Sequence, residues 1–346
     1  MTLLEREINE QPDVIGHLID SQMDVACELA EVIDNRDIRY ILLAARGSSD
    51  NAGRYAQYLF GAMNGLPVAL ATPSLFTLYR QPPRLRDVLV IGISQSGQGP
   101  DVMKVIREGR EQGALTLAIT NQADSPLVQA AELALVLEAG EEKSLAATKT
   151  YTAQLAALAL LSAALSGDSQ RMEALQRIGD VVRNTLAETD APSQRAAERW
   201  LHAEHGVVIG RGYNYATAFE IALKLTEVTY LLIQPYSSAD FHHGPLALVE
   251  ANLPAIVVAM SGPVFPDLLD LLKNMRERGA DLLVISDQEG ALEQGTVQFA
   301  LPSDIPEWLT PIIAVIPGQL MALRLAEARG FDPDKPRSLR KVTKTL

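Results

Sequence analysis

The sequence predicts an α/β protein of two tandem lobes, each a parallel sheet flanked by helices, Rossmann-like and internally duplicated. Short apolar runs alternate with helical patterns, which makes the runs strands of a parallel sheet covered on both faces. Aromatic residues are only 5% of the 346 residues, a composition that suits helix-rich layers of small aliphatics better than an all-β sandwich. The same order of elements then returns. Arg46-Gly47 matches Arg211-Gly212 at an offset of 165, and Gln112-Gly113-Ala114 matches Arg278-Gly279-Ala280 at 166.

Taken in order, Tyr40–Ala45, Val88–Ile93, Leu115–Ile119 and Leu133–Leu137 are strand-like, with amphipathic segments between most of them. Thr150–Gly167 is uncharged and nearly long enough to span a membrane, but its Ala, Ser, Thr and Gln content suits a buried helix. The stretch Ser166–Glu198 reads as helices without a strand, broken at Gly167-Asp168 and Ala191-Pro192-Ser193. A first lobe over 1–170 and a second over 190–330 follow, the second opening on the strand Val207-Val-Ile-Gly and the helix Asn214–Leu232 and continuing with the strand Ala255-Ile-Val-Val. The tail, 331–346, is too polar and too broken by Pro333 and Pro336 to be a core element; it must lie over the surface or reach into a cleft.

Thirty basic and 43 acidic residues leave a net charge of −13, a field that repels phosphate backbones and anionic lipid, so neither nucleic acid nor membrane is an expected partner. The lone cysteine, Cys27, lies in an apolar-periodic stretch and is expected to be buried. No basic region and apolar run open the chain at Met1–Asn9, so a cytoplasmic protein is expected.

Ser94-Gln95-Ser96-Gly97-Gln98-Gly99 follows a strand and precedes a helix starting near Pro100. Hydroxyls, an amide and free N–H groups at a helix start form an anion cradle. Arg46-Gly47-Ser48-Ser49-Asp50 stands at the equivalent end of the first strand, and in an open parallel sheet both loops lie where ligands bind. Ser and Gly also cap helices; two such loops on one sheet edge favour binding. With neither a dinucleotide nor a nucleoside-triphosphate fingerprint, a monophosphate is the better guess. His17, His202, His205, His242 and His243 lack a metal spacing. Glu220, Lys224 and Glu227 recur at helical spacing on one stripe, which is either a solvated ion-paired face or a general base with its partners; location decides. Downstream, the pair His242-His243 precedes a Gly-Pro break, and histidine moves protons near neutrality.

These residues resemble the sugar isomerase (SIS) family, in particular the SIS-type glucosamine-6-phosphate deaminases and the isomerase half of glucosamine-6-phosphate synthase. The resemblance runs over nearly the whole chain. It rests on Arg46-Gly47-Ser48-Ser49, Ser94-Gln95-Ser96-Gly97, Ala139-Gly140-Glu141-Glu142 with Ala146-Ala147-Thr148-Lys149, Ala222-Leu223-Lys224-Leu225 with Glu227, His243-Gly244-Pro245-Leu246, and Lys341. It implies phosphate binding by Ser49, Ser94, Gln95 and Ser96 with Ser48 beside them, proton shuttling between C1 and C2 by Glu227, and ring opening by His243 from the partner subunit of a homodimer. It further implies that Lys341 reaches the carbonyl end of the sugar, that Lys224 and the Leu145 backbone line it, and that no cofactor is needed. Gly99 stands where the synthase has a threonine, and Arg46 replaces a small residue. Thr2 stands where the synthase's glutaminase has its cysteine, so loss of ammonia from glucosamine 6-phosphate is the expected direction. A galactosamine or fructosamine phosphate as substrate, or a non-catalytic sugar-phosphate sensor, are the alternatives.

Overall fold

The computed structural model describes residues 1–338 and 341. Among these are ten strands: β1 (Tyr40–Ala44), β2 (Val68–Leu70), β3 (Val88–Ile93), β4 (Leu115–Thr120), β5 (Leu133–Val136), β6 (His205–Gly210), β7 (Leu232–Ser237), β8 (Pro254–Val258), β9 (Asp281–Ser286) and β10 (Val297–Ala300). They form two all-parallel sheets, ordered β2-β1-β3-β4-β5 and β10-β9-β8-β6-β7. Read from the other edge, the second order is β7-β6-β8-β9-β10, the first sheet repeated strand for strand. The duplication expected from the offsets is therefore one of topology as well as sequence.

Local geometry repeats too. Helices Pro100–Glu111 and Phe265–Glu277 end alike: Gly113 and Gly279 take φ of +80° and +83°, and the next amide, Ala114 or Ala280, returns to the carbonyl of Gly109 or Met275. β3 and β4 are buried at every residue, as are β8's counterpart positions Ala255–Val258, because helices cover both faces of the central strands. The strand-like runs named above do not include β2, β7, β9 or β10. β2 has three residues, and β7 (Leu-Ile-Gln-Pro-Tyr-Ser) carries Pro235, which only an edge tolerates because it removes a ladder donor.

The chain divides into two compact units. The first-lobe unit holds Asp13–Lys143, Lys149–Gly179 and, of the described tail, Lys341; the second-lobe unit holds Met1–Pro12, Ser144–Thr148 and the chain from Asp180 to the tail. In the first-lobe unit the helix Lys149–Ser166 is buried at every residue from Lys149 to Ala163 and packs on helix Ser48–Asn64. Among the described residues one helical stretch, Glu307–Ala328, is long and apolar enough to cross a membrane; it is almost wholly buried in the protein, and its part Ile316–Ala328 packs on helix Tyr215–Thr229 in the second-lobe unit.

Two expectations need correction. Helix Ile178–Arg199 runs through Pro192 instead of breaking there. Its continuation buries Ala196 and Ala197 and leads to Trp200, whose indole donates to Asp281 at 3.2 Å, which offsets a proline cost of roughly 3 kcal/mol. Cys27 is exposed, not buried. It shares the outer face of helix Gln11–Asp34 with Asp24, Glu28 and Glu31, while its neighbours Ala26 and Ala30 face the core.

Candidate active site

In the first lobe the strand order reverses between β1 and β3, and the crevice at such a point is where open α/β sheets bind ligands. The loop after β3 is shaped for an anion. Gly97, at φ +62°, lies so close to the next loop that a Cβ would stand 2.2 Å from Ser125 Oγ. The Gln95 carbonyl accepts from Asn121 N at 3.2 Å and Thr120 Oγ1 at 3.3 Å. Ser94 Oγ accepts the Gly97 amide at 3.2 Å and Ser96 Oγ the Gln98 amide at 3.4 Å. Each hydroxyl oxygen is thereby oriented by its own loop and keeps its proton to donate outward. Helix Pro100–Glu111 starts at the loop's end with Pro100 in its first turn, adding its dipole.

Across the crevice, Ser48 and the buried Ser49 open helix Ser48–Asn64 behind Gly47. Arg46 Nε pairs with the buried Asp101 Oδ2 at 2.7 Å, tying the end of β1 to the first turn of the helix after β3. Burial raises the Asp50 carboxyl above the usual range, against the pull of Arg54 and Arg46. Gln95 and Ser96 line a depression of about 350 Å3 together with Ser125, Glu142 and Lys341. Lys341 Nζ donates to Glu142 Oε2 at 2.8 Å. The tail lysine thus lies beside the loop, while Val342–Leu346, including Lys344, fall outside the described residues.

In the second-lobe unit, helix Tyr215–Thr229 carries the charged stripe. Lys224 Nζ stands 2.5 Å from Glu227 Oε2 and 3.5 Å from Glu220 Oε1. The side chains of Glu220 and Lys224 are 0% and 3% exposed against 18% for Glu227, so the solvated-face reading fails: this is a buried ladder with one carboxylate reachable from outside. A buried cation between two carboxylates fixes the reachable one in place.

His243 is exposed at the end of helix Ser238–His242, and His242 lies 3.8 Å from Asp267. Leu145 follows Ser144, whose amide donates to the buried Glu7 carboxylate at 3.1 Å. Among the described residues no group of three or more His, Cys, Asp or Glu converges as a metal site would require. Glu142, which holds Lys341, and Thr150, which holds Glu142, were missed as site residues. The only signal for Glu142 was its place in the Ala139-Gly140-Glu141-Glu142 motif.

With this geometry in place, comparison with known proteins is decisive on family. The SIS domain model matches residues 36–164 and again 201–328. The chain belongs to the SIS domain family, with two repeats. It is 33% identical over 354 aligned residues to a glutamine–fructose-6-phosphate aminotransferase (isomerizing) of Pseudomonas syringae pv. tomato, covering 97% of this chain and 57% of that protein. The SIS chain thus spans little more than half the length of the curated relatives it matches. Among solved structures, the C-terminal domain of glucosamine-fructose-6-phosphate aminotransferase from Francisella tularensis superposes with a TM-score of 0.86 at 27% identity, covering 97% of this chain and 98% of that one. A glucosamine-6-phosphate deaminase from Thermotoga maritima shares the fold, with a TM-score of 0.78 at 20% identity and coverage of 99% and 100%.

Proposed function

We propose that this SIS protein is an aldose–ketose isomerase acting with loss of ammonia, converting glucosamine 6-phosphate and water to fructose 6-phosphate and ammonia. The observation that carries the reading is the buried ladder, which leaves Glu227 as a fixed, accessible carboxylate beside a cation. Support comes from the relatives, whose names place an isomerising reaction on fructose 6-phosphate, and from the anion-shaped loop after β3.

In this reading the phosphate is held by Ser94, Gln95 and Ser96 with Ser48 and Ser49, and the sugar is lined by Lys224 and the Leu145 backbone. His243 assists opening of the ring to the free aldehyde. Glu227 takes the C2 proton, giving an enolamine; the proton returns at C1, leaving an imine at C2. Water adds to that imine and ammonia leaves, so the aldehyde carbon is reduced as C2 is oxidised and no external oxidant is needed. Lys341 stabilises the oxyanion developing at the carbonyl end. The supply of His243 by a partner chain in a homodimer, and a cytoplasmic setting in which the exposed Cys27 stays reduced, belong to the same proposal.

The test is release of ammonia and fructose 6-phosphate from glucosamine 6-phosphate by the purified protein. Glu227→Gln is expected to keep sugar-phosphate binding and lose roughly 10^2- to 10^4-fold in kcat. Full turnover by that variant would overturn the assignment of the base. Ammonia from galactosamine 6-phosphate alone would replace the substrate, and binding without turnover of any sugar phosphate would leave a sensor. Mixing Glu227→Gln with His243→Ala chains is expected to restore activity when the histidine comes from the partner.

A further inference from the structure

A buried carboxylate beside the anion loop has no part in the reaction steps above. Glu142 follows β5, and its side chain is 0% exposed. Its Oε1 accepts the Thr150 amide at 3.1 Å, and its Oε2 accepts both the Thr150 hydroxyl and the Lys341 ammonium at 2.8 Å. Thr150 is the second residue of helix Lys149–Ser166, so the carboxylate sits where helix N–H groups and the helix dipole favour negative charge. Two of its bonds therefore come from a rigid element and do not depend on the tail.

Lys341 is placed differently. It comes from a segment without helix or strand over 331–338, 199 residues from Glu142 in sequence, and a four-carbon side chain on such a segment carries large rotamer entropy. We propose that Glu142 is a positioning residue that docks Lys341 beside the Gln95–Ser96 loop, so that the ammonium is held ready for the sugar. The inference rests on the role proposed for Lys341. The pairing is mutual: a buried carboxylate that loses its cation is left poorly compensated, which favours the docked tail.

Glu142→Gln tests this with little change of shape, because the amide still accepts from Thr150 but presents N–H to the ammonium. A positioning loss of this kind is expected to lower kcat by roughly 10^2-fold with KM nearly unchanged. Lys341→Ala should do the same, and the double variant Glu142→Gln/Lys341→Ala should be no slower than Lys341→Ala alone. Wild-type kcat in Glu142→Gln, or a double variant slowed by the product of the single losses, would overturn the proposal. Glu142→Asp, which keeps the charge, should recover part of the rate; if Glu142→Gln fails to fold by circular dichroism, Thr150→Val loosens the same carboxylate and replaces it in the cycle.

A second readout separates this proposal from the function itself. Acetic anhydride labelling, read by mass spectrometry, should modify Lys341 of the wild-type protein more slowly than the exposed Lys335, and as fast as Lys335 in Glu142→Gln. Equal labelling of Lys341 in both proteins sinks the docking. Protection of Lys341 in a wild-type protein that turns over no sugar phosphate would overturn the proposed reaction and leave the docking standing.

Discussion

In both lobes an arginine at the end of one strand is braced by an aspartate on the helix across the crevice: Arg46 by Asp101 at 2.7 Å, and Arg211 by Asp267 at 2.8 Å. Beyond that brace the two crevices part. Gly97 is backed by the hydroxyls of Ser125 and Thr120, whereas its counterpart Gly262, at φ +142°, is backed by the Glu307 carboxyl, 2.4 Å from where a Cβ would stand. Ser96 keeps a hydroxyl proton for a ligand, whereas Ser261 donates both its amide, at 2.7 Å, and its hydroxyl to Asp287. Ser94 and Gln95 become Ala259 and Met260. Duplication kept the parts that hold the sheet edge together and changed the parts that meet an anion. The second crevice is occupied by the Glu307 and Asp287 side chains that meet Gly262 and Ser261, while the first keeps the Ser94 and Ser96 hydroxyls as donors to an anion.

The largest expected effect comes from closing the first crevice. Gly97→Ala must place a methyl group against Ser125, and loss of two hydrogen bonds to a charged phosphate, at roughly 1.5–3 kcal/mol each, should raise KM by about 100-fold or more. The matching Gly262→Ala meets the Glu307 carboxyl and is expected to lower the melting temperature while leaving KM alone. A raised KM in Gly262→Ala would break the comparison, because the second crevice would then touch substrate.

Single hydroxyls sharpen it. Ser96→Ala should raise KM by about tenfold, one charged hydrogen bond, and Ser261→Ala should leave it unchanged. Equal effects in steady-state assays would show that both crevices bind.

The smallest effect is one of pH. Burial raises the Glu307 carboxyl above the ordinary glutamate range, so its neutral form suits the folded state. The stability it contributes is complete below the unfolded-state pKa and is lost as pH rises through the folded one. Glu307→Gln should therefore match the wild-type melting temperature near pH 4 and exceed it by about 1–3 °C at pH 7. A difference that does not change with pH would mean that the carboxyl is not buried as described. Asp267 behaves oppositely: burial works to raise it, but hydrogen bonds from Ser238 and Arg211 hold it below the usual carboxylate range.

Much of this was legible in the sequence. The repeated Arg-Gly pairs and the glycines that end matching helices survive duplication because each serves a backbone conformation other residues resist. The anion loop was legible because Ser, Gln and Gly between a strand and a proline have few other uses. Glu220, Lys224 and Glu227 were legible as a stripe, since helical spacing alone puts them on one face. Pro192 and Cys27 misled because local propensity and periodicity do not say which face a helix buries, or how much packing lies beyond a proline.

The sequence by itself determined the two-lobed parallel architecture, the position of the anion loop and the residue types available for proton transfer, because these follow from local period and backbone demand. Only the tertiary structure decided that the Lys224 ladder is buried, that Glu307 fills the second crevice and that Glu142 meets Lys341. Burial and charge pairing arise between segments far apart in the chain, and no local pattern encodes the low-dielectric surroundings that make them matter.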